Sequence, residues 1–147
     1  NNYKIYDFFF SNMSLHWSEN FSIFFFNLLS QMPTDSTFIF SIPTEIKFDF
    51  DSLEINKNLF EELINTLPDT DFLEKQIDKK KFNFYSKKKI FKEKFKKPLD
   101  FFFNLKSIGA NTNLKKTKTN IFFLRRMNSE IIINYNVSFM FIKKIRA

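Results

Sequence analysis

Residues 79–107 read KKKFNFYSKKKIFKEKFKKPLDFFFNLKS, and the fold turns on how this stretch is divided. Phe82 and Phe84 alternate with Lys81, Asn83 and Tyr85, the period of a strand over 81–86. At 99–106 the same period places Leu99, Phe101, Phe103 and Leu105 on one face, opposite Asp100, Phe102, Asn104 and Lys106. That segment is expected to be a further strand. Between the two lies KKKIFKEKFKK, too polar for a core. Its Phe91 and Phe95, four apart, fit a helical turn, and its length equally fits a long hairpin tip. Ten of the twenty residues 79–98 are lysine, so this arm is a solvated charge run, a membrane-surface element or an RNA-gripping one.

Working outward, residues 45–51, EIKFDFD, alternate strictly. Ile46, Phe48 and Phe50 point one way, and Glu45, Lys47, Asp49 and Asp51 the other, as in a half-buried strand. Residues 52–67, SLEINKNLFEELINTL, change to helical period, with Leu59, Phe60, Leu63, Ile64 and Leu67 in one stripe. Asp51 can cap this helix with Glu54 as its capping-box partner, and Pro68 stops it. Downstream, the only glycine, Gly109, falls where a turn is needed. Residues 119–127 predict a short helix capped by Thr119 or Asn120, with Ile121, Leu124 and Met127 inward. Residues 131–145 predict an extended segment in which Tyr135, Val137, Phe139 and Phe141 alternate with Asn136, Ser138 and Met140.

The expected fold class is therefore α+β, in the order β-α-β-β-α-β. Two helices would cover one face of a four-stranded sheet, with a basic arm at about 79–98 between the second and third strands. The expected domains are an N-terminal extension, 1–43, and an α+β domain, 44–147. Residues 1–40 are apolar without a clean period and read as an extension packed on this domain or on a partner, expected to be ordered mainly by contact with another chain.

Composition carries a signature of its own. Phe, Lys, Ile, Asn and Tyr make up 80 of 147 residues, whereas Gly, Ala, Arg and Pro total 10. The first group has AT-rich codons and the second GC-rich ones, which points to an extremely AT-rich genome such as an organelle's. The absence of cysteine excludes disulfides and thiolate metal sites. With 27% charged residues, and a most apolar region, FSIFFFNLL at 21–29, too short to span a bilayer, no integral membrane protein is expected. No cleavable leader is expected at the N-terminal end either.

Charge is divided along the chain. Residues 1–78 carry a net −9 and residues 79–147 a net +16. Concentrated like charge repels itself, and a bound polyanion relieves it. The candidate RNA-binding residues form three groups: Lys79, Lys80, Lys81, Lys87, Lys88, Lys89, Lys92, Lys94, Lys96 and Lys97 at the arm; Lys115, Lys116, Lys118, Arg125 and Arg126 at the second helix; Lys143 and Lys144 near the C-terminal end. Lysines neutralise phosphates without reading sequence. Tyr85 or Phe91 can stack on an unpaired base, although packing is the commoner fate of both types.

Catalysis finds little support. His16 is the only histidine and reads as a surface or partly buried side chain. Asp49 with Asp51, and Asp69 with Asp71, are spaced to share a cation on a strand, yet suit a solvated face or a helix cap better. One glycine cannot build a phosphate-cradling loop. No enzyme activity, cofactor, metal or small-molecule substrate is expected.

The order of elements resembles the small ribosomal subunit protein ten family. Residues 45–67 resemble its first strand and helix, KKKFNFYS at 79–86 its second strand, and FKEKF with LDFFFNLKSI, at 91–95 and 99–108, its basic hairpin arm and third strand. TKTNIFFLRRM at 117–127 resembles its second helix and NVSFMFIKKI at 136–145 its closing strand. Residues 1–43 have no counterpart. The resemblance implies a structural constituent of an organellar, mitochondrial ribosome in the matrix, bound to rRNA and to neighbouring ribosomal proteins. The alternative expectation is a matrix-facing accessory subunit of a respiratory-chain complex, in which the Phe-rich first 40 residues face lipid or another subunit.

Overall fold

The computed structural model describes residues 5–50, 66–107 and 124–146. It is α+β with a four-stranded mixed sheet. The elements in chain order are β1 (Phe8–Asn12), α1 (Phe21–Gln31), β2 (Thr37–Phe50), α2 (Thr70–Gln76), β3 (Phe82–Phe95), α3 (Pro98–Ser107) and β4 (Ile131–Lys144). The strand order is β1-β2-β4-β3. Residues 52–65 of the expected helix 52–67, the turn at Gly109 and residues 119–123 lie outside the described residues, and residues 66 and 67 are not helical.

β1 runs parallel to β2, with Phe8 opposite Thr37 and Asn12 opposite Ser41. Parallel neighbours need a crossover, which is why the chain between them is helical. Asn20 caps α1 by accepting from Ile23 N at 3.1 Å. Phe21, Phe25, Leu28 and Leu29 then follow at helical spacing and are buried. The other pairings are antiparallel. Lys144 N donates to Ser36 O at 3.0 Å while Thr44 Oγ1 donates to Asn136 O at 3.2 Å, so numbers on β2 and β4 run oppositely. Ile145 N donates to Lys81 O at 2.9 Å, which sets β4 against β3.

Two compact units share these elements. The first contains described residues 5–45, 67–90 and 136–146. Its core sets Phe25, Leu28 and Leu29 of α1 and Leu73 of α2 against Phe38, Phe40 and Ile42 of β2, Met140 and Ile142 of β4 and Phe82 of β3. Phe25 and Phe40 meet edge to face at 5.8 Å between ring centres, and Phe38 stacks on Phe40 at 4.7 Å. A buried polar pair, Thr70 Oγ1 and Ser138 Oγ at 3.0 Å, ties α2 to β4. The second unit contains 46–50, 66, 91–107 and 124–135. Its core gathers Phe48, Phe95, Phe101, Phe102, Leu124, Ile131 and Ile133.

Four expectations are corrected. Residues 99–106 are not a strand but lie in α3. Its buried positions, Pro98, Phe101 and Phe102, with Leu105 packed beside them, step three, four and seven along the chain. Pro98 suits the first helical position, and Asp100 and Lys106 complement the helix dipole at its two ends. Phe103, expected inward, is exposed. The arm is neither a helical turn nor a hairpin tip, because 82–95 is one uninterrupted strand. Residues 1–43 are not an appendage over their described part, since 21–42 supply most of the first core. On β4, Phe139 and Phe141 are exposed, and Met140 and Ile142 point inward.

Other expectations stand. Strand 81–86 begins β3, with Phe82 buried and Phe84 packed beside it. Phe48 is buried on β2, residues 124–126 are helical, and 131–144 is a strand.

Candidate nucleic-acid interface

β3 is buried at its ends, Phe82 and Phe95, and exposed at every position from Lys87 to Lys94. It is also an edge of the sheet, so its backbone pairs with β4 on one side only among the described residues. Lysine on an edge strand has a structural use, since it discourages pairing with other chains. One or two lysines serve that purpose. Here Lys87, Lys88, Lys89, Lys92 and Lys94 all project from the exposed run.

In the first unit, α2 leads into β3 through a tight turn. Asp69 accepts from Asp71 N at 3.0 Å and Phe72 N at 3.1 Å, so Asp69 caps the helix and Asp71 lies in its first turn. Asp78 accepts from Lys80 N at 2.9 Å, while Lys81 N and Phe82 N each donate to Asp78 O at 3.0 Å. This fixes exposed Lys79, Lys80 and Lys81 at the mouth of β3, and Lys81 Nζ lies 3.5 Å from Asp78 Oδ2. Lys88 pairs with Asp71 of α2. Alternation along the strand sends Lys87 and Lys89 to the opposite face.

Lys144 has a different role. Its Nζ donates to Met32 O at 2.7 Å, Ser30 O at 3.1 Å and Leu29 O at 3.4 Å, the carbonyls at the end of α1. It also lies 5.9 Å from the centre of the Phe82 ring. α1 has no basic residue in its own last turn, and Lys144 supplies the missing cation from another strand. That ammonium is committed to the fold. Lys143, one residue earlier, points to the other face. A groove of about 530 Å³ lies near Lys144, Lys81, Asp78 and Phe26.

In the second unit, Lys92, Lys96, Lys97, Arg125 and Arg126 are exposed. Lys94 pairs with Glu130 at 2.6 Å. Tyr135 donates to Glu93 Oε2 at 3.1 Å. Burial pushes the Tyr135 phenol upward, and the Glu93 charge and hydrogen bond add to the effect. Such exposed ion pairs contribute about 0–1 kcal/mol. Lys115, Lys116 and Lys118 lie outside the described residues.

His16 lies tilted against Trp17 with ring centres 4.5 Å apart, and its buried Nδ1 has no hydrogen-bond partner. Desolvation holds its pKa below the ordinary 6.5, so it is neutral at pH 7. Among the described residues no three His, Cys, Asp or Glu side chains cluster to hold a metal ion. None of their helices is long and apolar enough to cross a membrane.

Sequence reasoning missed the aromatic residues that lie exposed on the sheet, Phe8, Phe10, Phe139 and Phe141. The alternation in 137–143 held the signal. In so Phe-rich a chain both parities look apolar, and only the partner strands decide which is inward.

The comparisons add no family. No protein-family model matches the chain, and no curated protein matches it.

Proposed function

We propose that the protein is a structural, rRNA-binding constituent of an organellar, mitochondrial ribosome. The lysines of β3 and its flanking turns meet the phosphate backbone. The observation that supports this reading best is the run of eight consecutive exposed positions, Lys87 to Lys94, on a strand anchored by phenylalanine at both ends. Its lysines exceed what edge protection requires, and the basic half of the chain has only three acids to pair with. A polyanion answers both facts. Membership in the small ribosomal subunit protein ten family belongs to this proposal through the strands at 82–86 and 136–144. The helix at 98–107 departs from that family's third strand.

The respiratory-complex reading relied on the first 40 residues facing lipid or another subunit. Phe21, Phe25, Phe38 and Phe40 instead face the first core. The test is sedimentation of the native protein from organelle lysate, with and without RNase. Comigration with the small ribosomal subunit, collapsing to light fractions after RNase, is the expected result. Migration with a membrane complex that ignores RNase would end the ribosomal reading.

A further inference from the structure

The helices of the first unit pack on one face of its strands, through Phe38, Phe40, Phe82, Met140 and Ile142. The residues between these point to the opposite face. Phe10 lies opposite Ile39 in the parallel register. The ladder that joins Lys144 to Ser36 brings Phe141 opposite Ile39, and the ladder that joins Ile145 to Lys81 brings it opposite Tyr85. One row therefore crosses all four strands in order: Phe10, Ile39, Phe141, Tyr85. Phe10 is 67% exposed, Tyr85 63% and Phe141 38%. Two residues along the strands, about 7 Å away, stand Lys87 on one side of the row and Lys143 on the other.

We propose that this face, open along the row among the described residues, is a stacking platform for the unpaired bases of a single RNA strand, with Lys87 and Lys143 holding its phosphates. The inference rests on the RNA-binding function proposed above and adds what kind of RNA is bound and by which face. Every base has a π-face, so aromatic rings in a row hold a strand without reading its sequence. Aromatic residues on an open four-stranded sheet stack two or three bases. Three aligned, exposed rings also mark an interaction surface, whereas scattered exposed residues would not. Charge decides the occupant. A second copy of the chain would set lysines against lysines, whereas an RNA strand answers both the cations and the rings, which Phe8 and Phe139 extend on the same face.

The test uses the intact chain and fluorescence anisotropy with three probes of about twelve nucleotides: uridine RNA, the same backbone without bases, and a duplex. The uridine strand is expected to bind most tightly. Phe10→Ala with Tyr85→Ala is expected to weaken it about tenfold or more, while binding of the abasic strand stays unchanged. Tyr85→Phe, which keeps the ring, is expected to bind as the parent does. Both substituted positions are well exposed, and circular dichroism confirms that the variants fold. If uridine and abasic strands bind alike and the aromatic variants are silent, while Lys87→Ala weakens both, the stacking platform is overturned and phosphate binding stands. If none of the probes binds at low salt, the proposed function falls with it. If the aromatic variants instead convert a dimer to a monomer in sedimentation equilibrium, the face is a self-association surface and the proposal is wrong.

Discussion

Lys87, Lys88 and Lys89 are consecutive, and the strand gives them different tasks. Lys88 points toward α2 and pairs with Asp71. Lys87 and Lys89 share the opposite face. If phosphates meet that face, Lys87→Ala with Lys89→Ala removes two contacts. Each contact contributes about −0.7 to −0.9 to the slope of log affinity against log salt, so the slope flattens by about 1.4–1.8. Between about 50 and 200 mM salt the parent then loses roughly seven- to twelvefold more affinity than the variant. Lys88→Ala is expected to leave the slope near that of the parent. The assay is anisotropy of a labelled RNA across a salt series, repeated with a second RNA sequence, for which the change is the same because phosphate contacts carry no sequence information. An unchanged slope in the double variant would refute phosphate contact at this strand. A slope flattened as much by Lys88→Ala would refute the division of faces.

The remaining predictions concern the fold. Phe101 is fully buried, with ring centres of Phe102 at 5.0 Å, Phe48 at 5.6 Å and Phe95 at 5.7 Å. Phe101→Ala is therefore expected to cost about 3–5 kcal/mol in urea unfolding, against about 0.5 kcal/mol or less for Phe103→Ala. Equal costs would remove the helical account of 98–107. Asn20→Ala removes the cap of α1 and is expected to cost about 0.5–2 kcal/mol, read as a lowered denaturation midpoint. Lys144→Ala is expected to lower stability by about 1–3 kcal/mol while leaving the RNA salt slope unchanged, because its ammonium serves the α1 carbonyls. A flattened slope would return Lys144 to the interface. The fold holds the His16 pKa below 6.5, so the unfolded chain takes up a proton first as pH falls. His16 thus contributes stability that is fully present above about pH 6.5 and is lost as pH falls through the folded-state pKa. Thermal midpoints between pH 7 and pH 5 should fall less in His16→Gln, and identical profiles would exclude a role for this histidine.

Strands at 81–86 and 131–145 were legible because their flanks or alternating polar positions left one period dominant. The charge division and the lysines of β3 were equally plain, since charge needs no partner to be counted. Local pattern failed where phenylalanine filled both readings. PLDFFFNLK satisfies a strand through Leu99, Phe101, Phe103 and Leu105, and a helix through Pro98, Phe101, Phe102 and Leu105. The core that takes up Phe101 and Phe102 together chose the helix. Residues 21–29 concealed a helix for the same reason, and the parallel pairing of β1 with β2 is what requires one there. The faces of β4 show the limit most sharply. Phe139 and Phe141 are as apolar as Met140 and Ile142, but only the second pair meets the helices. Composition set how apolar this chain is, and tertiary pairing decided which of its aromatic rings were left to meet a partner.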